Sequence, residues 1–341
     1  MRNILVTGGL GFIGSHLVET LLSDSSTRVV VVDNLQSNVI SVDRMIGEIG
    51  ADCSDRLEVI IQDVENYEPA VRFAEIFHLA SVVGPAGVLG HAGRISEKIV
   101  NATSSVVRCA ERDGARLVNV STSEIYGGGD QGLCEEHSPR MICATASARL
   151  EYAVAKLASE IALENLCRRG TVDAVTIRPF NVAGVRQSGR GGFVLPRFIG
   201  QAIVNSPLTV FGDGTQMRAF TDVRDVVDAM ILICRHGEAG TAYNVGNPNN
   251  RISIDALADE VLIASHSSSG KLYVDPRDIF GPEYREAADK FPNANRTMSL
   301  GWRPRCSLQA TIYDVLYWMS HLPPEEIKDV AGLSSLEMAN A

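Results

Sequence analysis

At 341 residues the chain is long enough to bury a sizeable core and to divide into two lobes. It is 45% hydrophobic but has no apolar run long enough to span a bilayer, and its net charge of −10 without a basic tract argues against nucleic acid as a partner. Seven cysteines are scattered without a Cys-x-x-Cys pair, which suggests neither a disulfide framework nor a metal site, and a reducing cytoplasm is the expected compartment. No signal peptide is expected, because the first strand begins almost at Met1.

Ile4-Leu5-Val6 reads as a short, buried parallel strand. Gly8, Gly11 and Gly14 follow within Thr7-Gly8-Gly9-Leu10-Gly11-Phe12-Ile13-Gly14, and residues 15–22 carry a helical apolar pattern (Leu17, Val18, Leu21, Leu22). The spacing differs from the commonest Gly-x-Gly-x-x-Gly, but the physics is shared. A tight turn brings the backbone, Phe12 and Ile13 included, close to a pyrophosphate seated on a helix N-terminus. The second strand, residues 28–32, ends at Asp33-Asn34, about 20 residues beyond the glycines, where a carboxylate accepts from the adenosine ribose and repels a 2′-phosphate. NAD is therefore expected over NADP. A third strand, Leu57–Ile61, leads to Asp63 and Val64, which are placed near the adenine edge. A fourth, residues 76–80, ends at Leu79, Ala80 and Ser81, facing the cofactor at the carboxyl edge of the sheet. His78 within it reads as a packed histidine rather than a catalyst.

The fifth strand, residues 117–120, delivers Ser121-Thr122-Ser123-Glu124 to the same edge. A loop with Pro139 follows, then a helix over about 146–168 that carries Tyr152 and Lys156 at i and i+4, on one face. An ammonium and a cationic nicotinamide beside a phenol favour the phenolate. That phenolate can take a proton from a sugar hydroxyl while a hydride leaves the same carbon, and Thr122 would hydrogen-bond the reacting oxygen. Cys134 and Cys143 precede this helix and read as ordinary buried or loop cysteines. The serine-rich stretch 265–270 reads as a loop.

These motifs, with Arg178-Pro179-Phe180-Asn181-Val182-Ala183-Gly184, Pro207-Leu208-Thr209-Val210-Phe211-Gly212, Gln216-Met217-Arg218-Ala219-Phe220-Thr221-Asp222 and Gly301-Trp302-Arg303-Pro304, resemble the extended short-chain dehydrogenase/reductases, in the NAD-dependent sugar-nucleotide epimerase/dehydratase/decarboxylase branch. The likeness runs from Ile4 to about Trp318. It implies a Rossmann-type doubly wound α/β parallel sheet in residues 1–175, completed by strands returned from a smaller substrate lobe in residues 176–341. Tyr243-Asn244-Val245-Gly246-Asn247 is similar to the family's return strand. The likeness also implies that Arg218 and Asn181 bind the diphosphate of a nucleotide sugar, a role suited to a fixed guanidinium fork. Pro207 to Phe211, Val210 among them, would line the base pocket, Arg190 would touch substrate, Pro179 would border the cofactor, and the protein would be a homodimer through helices near 92–112 and 149–168. Sugar choice would rest on loops near 82–94, 125–148 and 186–197.

Such enzymes oxidise the sugar at C4 and recycle the bound NAD. From the 4-ketone three outcomes are open: reduction on the other face (epimerase), loss of water (dehydratase) or loss of CO₂ (decarboxylase). Dehydratases of this branch carry Asp-Glu, whereas here the pair is Ser123-Glu124. Ser-Glu and Arg149 are similar to the UDP-glucuronate decarboxylases, whose C-terminal Arg-Lys-Pro is matched only by Lys290-Phe291-Pro292. The resemblance thus implies an epimerase or dehydratase, with decarboxylase as the alternative. A non-catalytic NAD-binding sensor and a simple reductase that releases NADH each turnover are the rivals of other kinds. An intact Thr122, Tyr152 and Lys156 speaks against the sensor.

Overall fold

The computed structural model describes residues 1–127, 132–140, 146–281 and 289–333. Seven strands form the central sheet: β1 (Arg2–Thr7), β2 (Thr27–Asp33), β3 (Leu57–Ile61), β4 (Glu75–His78), β5 (Arg116–Val120), β6 (Asp173–Pro179) and β7 (Ala242–Val245). Their order is β7-β6-β5-β4-β1-β2-β3, and every neighbouring pair is parallel. Strands buried on both faces read as continuous apolar runs, and β2 (Thr-Arg-Val-Val-Val-Val-Asp) is the plainest case. The direction of winding reverses between β1 and β4, so a crevice opens at the carboxyl ends of these strands.

Helices α1 (Phe12–Leu22), α2 (Ile95–Asp113), α3 (Ala148–Arg168), α4 (Val194–Ile203), α5 (Val223–His236), α6 (Ile254–Ser265) and α7 (Leu308–Ser320) follow in chain order. Leu17, Val18, Leu21 and Leu22 of α1 and Val226, Met230 and Ile233 of α5 cover one face of the sheet. Val106, Cys109 and Ala110 of α2 and Leu163 of α3 cover the other. Each fully buried aliphatic side chain contributes about 1.5–3 kcal/mol. A second core gathers α4, α6 and α7 around Phe198, Leu257 and Val315 and forms the smaller lobe.

The doubly wound fold and the return of 242–245 to the sheet agree with the sequence. A cut at residue 175, however, falls inside β6, because that strand pairs with both β5 and β7. The lobes are further joined by a small sheet ordered Arg251–Ser253, Met217–Ala219, Lys290–Pro292 and Gly132–Cys134, whose last strand comes from the N-terminal half. Among the described residues no helix is long and apolar enough to cross a membrane, and no cluster of His, Cys, Asp and Glu could hold a metal ion.

Candidate active site

A cleft of about 1100 Å³ runs between the lobes, and nearly all the residues singled out from the sequence line it. At its cofactor end, Gly8 has φ +73°, and a Cβ there would stand 2.8 Å from the Ala80 nitrogen. A Cβ at Gly14 would stand 2.1 Å from the Gly8 oxygen. Only glycine permits this turn. Helix α1 begins at Gly11 with no side chain capping its first N–H groups and no acidic residue in its first turn, which leaves an anion seat. Asp33 is 6% exposed at the end of β2, its carboxylate accepting from the Leu10 N–H (3.0 Å) and the Leu35 N–H (2.8 Å). Burial pushes its pKa up, against the pull of those two bonds. Asn34 donates to Asp63 (2.6 Å), and Asp63, Val64, Leu79, Ala80 and Ser81 all border the cleft. Ser121 also lines the cleft, and its hydroxyl is buried with no hydrogen-bond partner among the described residues. The glycine cradle, the uncapped helix and this orphaned buried hydroxyl together fit a dinucleotide.

His78 is fully enclosed. Its Nδ1 lies 2.8 Å from the Thr7 hydroxyl, and burial, reinforced by Lys156, lowers its pKa to about 3. It is neutral and structural, as read from the sequence.

At the catalytic end, Ser147 caps α3 by accepting from the Leu150 N–H (3.1 Å), and this fixes the helix that carries Tyr152 and Lys156. Thr122 accepts from the Glu124 N–H (3.1 Å) and hydrogen-bonds Tyr152. Lys156 is 3% exposed and donates to the Val120 carbonyl (2.8 Å). Burial lowers its pKa to about 8, opposed by Glu160 one turn further on. Burial likewise pushes the Tyr152 phenol upward, with only its bond to Thr122 pulling down.

Glu124 meets two cations. Its Oε2 takes a hydrogen bond from Arg149 Nε (2.5 Å), and its Oε1 one from Lys290 Nζ (2.6 Å). Burial alone would raise its pKa, but Lys290 and Arg149 outweigh it and hold the carboxyl well below the usual range. Lys290 is 2% exposed and lies in register with Arg218 across the small sheet. Burial lowers the lysine's pKa, and Glu124 opposes that shift.

Ser123 lines the cleft at the first turn after β5, and Pro179 and Asn181 line it at the end of β6. Asn181 holds φ +35° and donates to the Ala219 carbonyl (3.3 Å). Arg190 reaches the cleft half-exposed and pairs with Asp329 (2.8 Å). Val210 is the exception: it is fully buried in the small-lobe core, and its neighbour Phe211 faces the cleft instead, beneath the Arg197 guanidinium at 4.3 Å. Successive side chains of a strand point to opposite faces, so an apolar run alone does not choose between them. Sequence reasoning did not single out Arg197, whereas Phe211 falls within the segment 207–211 expected to line the base pocket. Sequence reasoning also missed Val82 and Val83 as a cleft wall, although the loop that holds them was singled out. Cys134 is buried outside the cleft lining, and Cys143 lies outside the described residues.

With this geometry in view, the comparisons with known proteins are consistent. The profile of the NAD dependent epimerase/dehydratase family matches residues 4–246, and the chain belongs to that family. A UDP-N-acetyl-alpha-D-glucosaminuronate decarboxylase of Bacillus cytotoxicus is 27% identical over 94% of this chain and 98% of its own length. UDP-glucuronic acid decarboxylase 6 of Arabidopsis thaliana is 31% identical over 90% and 85%. Among solved structures, Pal from Bacillus thuringiensis superposes with a TM-score of 0.81 at 26% identity, covering 94% of this chain and all of the other. The protein is accordingly an NAD-dependent enzyme of this family.

Proposed function

We propose that the enzyme is a decarboxylase of a UDP-linked sugar uronate that recycles its NAD. The observation that carries this reading is the Glu124–Arg149–Lys290 cluster. A carboxylate clamped between two cations and held far below its usual pKa is a poor base for the C5 proton, as dehydration would need. Two cations at the same spot suit a substrate carboxylate. Curated relatives that match nearly the whole chain act, by their names, on UDP-sugar uronates, and this supports the same choice.

In this reading Arg218 and Asn181 hold the diphosphate, and Arg197 with Phe211 borders the base. Tyr152 takes the proton of the C4 hydroxyl while Thr122 holds the oxygen. Bound NAD supplies the hydride acceptor and later the hydride donor. The resulting ketone lies β to the C6 carboxylate. Cleavage of the C5–C6 bond releases CO₂ and leaves the electron pair spread over C5 and the C4 oxygen, beside Lys290 and Arg149. A proton from solvent water then returns to C5, and Tyr152 returns its proton to the C4 oxygen as the carbonyl is reduced.

The test is mass analysis of the products after the pure protein is incubated with NAD⁺ and either UDP-glucuronate or UDP-N-acetylglucosaminuronate. Loss of CO₂ is expected. Loss of water from any UDP-sugar, or unchanged mass with a new retention time, would replace the reading with dehydratase or epimerase. We further infer a cytoplasmic homodimer. Val100 on α2 and Val154 and Ile161 on α3 are exposed apolar residues on paired helices, whereas Ala153 and Leu163 are core.

A further inference from the structure

Behind the cleft lies a wholly buried polar network that the proposed chemistry does not use. Tyr126, two residues past Glu124, donates its hydroxyl to Asn244 Oδ1 (2.7 Å) and accepts from Arg178 (2.7 Å). Arg178 is itself forked onto Glu160 of α3. The Asn244 amide donates to the Cys134 carbonyl (3.0 Å) and the Asn293 carbonyl (3.2 Å). Its backbone N–H is taken by Glu136 (2.9 Å) and its carbonyl by the Thr297 hydroxyl (2.6 Å). Asn244 is 0% exposed. Cys134 and Asn293 flank the strand pair that holds Lys290, with Lys290 opposite Gly132 and Pro292 opposite Cys134.

One amide therefore touches both arms of the ion cluster, the turn that bears Glu124 and the strand that bears Lys290. We propose that Tyr126 and Asn244 are positioning residues that set the Glu124–Lys290 register, and so govern the step after hydride transfer rather than hydride transfer itself. Tyr152 and Lys156 sit on α3, which meets this network at Glu160 and Leu157 but holds Tyr152 through Thr122 and Lys156 through the Val120 carbonyl. The stakes are high because buried polar groups in such a network have no water to replace a lost partner. The inference rests on the reading that the cluster acts after oxidation.

Two variants test it. Tyr126→Phe keeps the ring stacked 6.0 Å from Phe180 and removes the hydroxyl's bonds to Asn244 and from Arg178, leaving the Asn244 amide on the Cys134 and Asn293 carbonyls. Asn244→Ala removes those two bonds as well as the acceptor for Tyr126. In each, the first-turnover appearance of NADH absorbance and the release of CO₂ are followed separately. The expected result is near-normal NADH formation with CO₂ release slowed about tenfold or more, the size of one misplaced hydrogen bond in a transition state. Equal loss of both steps, or loss of neither, overturns the proposal, as does failure of both variants to bind NAD, which would make the pair a fold element only.

A readout independent of turnover is acetic anhydride labelling of lysines in the NAD-free protein, located by peptide mass. Lys290 should label faster in both variants while Lys156 stays at the wild-type rate. Unchanged Lys290 labelling sinks the inference. Wild-type protein that releases no CO₂ sinks only the decarboxylase reading, and the labelling result then decides the inference alone.

Discussion

The two ends of the catalytic cleft are built in different ways. Thr122 follows directly on β5, Tyr152 and Lys156 sit on α3 packed beside it, and Lys156 is anchored to the strand end 36 residues before it. The Glu124 cluster is assembled from three places, with Lys290 arriving from 166 residues away on the strand that stitches the lobes together. On the proposed reading, hydride chemistry is held by the fold's own frame, and the step that decides the product depends on how the lobes meet.

That contrast can be broken most sharply at Tyr152. Tyr152→Phe should lower turnover by about 10²–10⁴ with NAD and UDP binding nearly intact, measured by steady-state rates and calorimetry. Near-normal turnover would remove the tyrosine from the mechanism. Glu124→Gln keeps the shape but leaves Arg149 and Lys290 without their counter-charge. It should slow CO₂ release by about ten- to a hundredfold while first-turnover NADH formation persists, the range for hydrogen bonds to charged groups. Unchanged CO₂ release in this variant would remove Glu124 from the step after oxidation.

Asp33→Ser should weaken NAD binding by about tenfold and leave CO₂ release per bound NAD unchanged, as equilibrium titration would show. A fall in the rate of the saturated enzyme would mean that the two ends are not separable.

The smallest effect concerns stability. His78 has its pKa lowered to about 3 by burial, from an ordinary 6.5. Between those values the unfolded chain binds the extra proton, so this contribution is complete above pH 6.5 and is lost as pH falls toward 3, by about 1.4 kcal/mol per unit. Denaturant unfolding of His78→Asn should show that slope flattened. An unchanged slope would assign the acid sensitivity elsewhere.

The hydride end was legible in the sequence because each of its signals is local. Glycines three apart, an acidic residue ending a valine-rich strand and a Tyr-x-x-x-Lys on one helix face each name their own geometry. The second end was legible only in part. Glu124 and Arg149 were readable by position, and Lys290 by likeness, but no periodicity tells that a lysine in Lys-Phe-Pro will reach a glutamate across the cleft. Val210 shows the limit at its smallest scale. Leu208–Phe211 (Leu-Thr-Val-Phe) is buried throughout, so which side chains turn to the core is set by packing against α4 and α6 and not by composition. Asn244 was quoted within a motif, yet its amide finds its partners only once β7 is laid beside the small sheet.

The short strand Gly132–Cys134 bears on how this protein can be re-engineered or recombined. It leaves the first half of the chain to complete a sheet otherwise made by the second half. A chimera that joins the cofactor half of one relative to the substrate half of another, cut near residue 175, would carry a foreign edge strand into the host's small sheet. Productive exchange would need to move residues 132–134 together with 217–219 and 290–292. Three separated pieces of chain thus form one transferable unit, and on the proposed reading a new product specificity would be inherited only if that unit moved whole, together with Glu124 and Arg149.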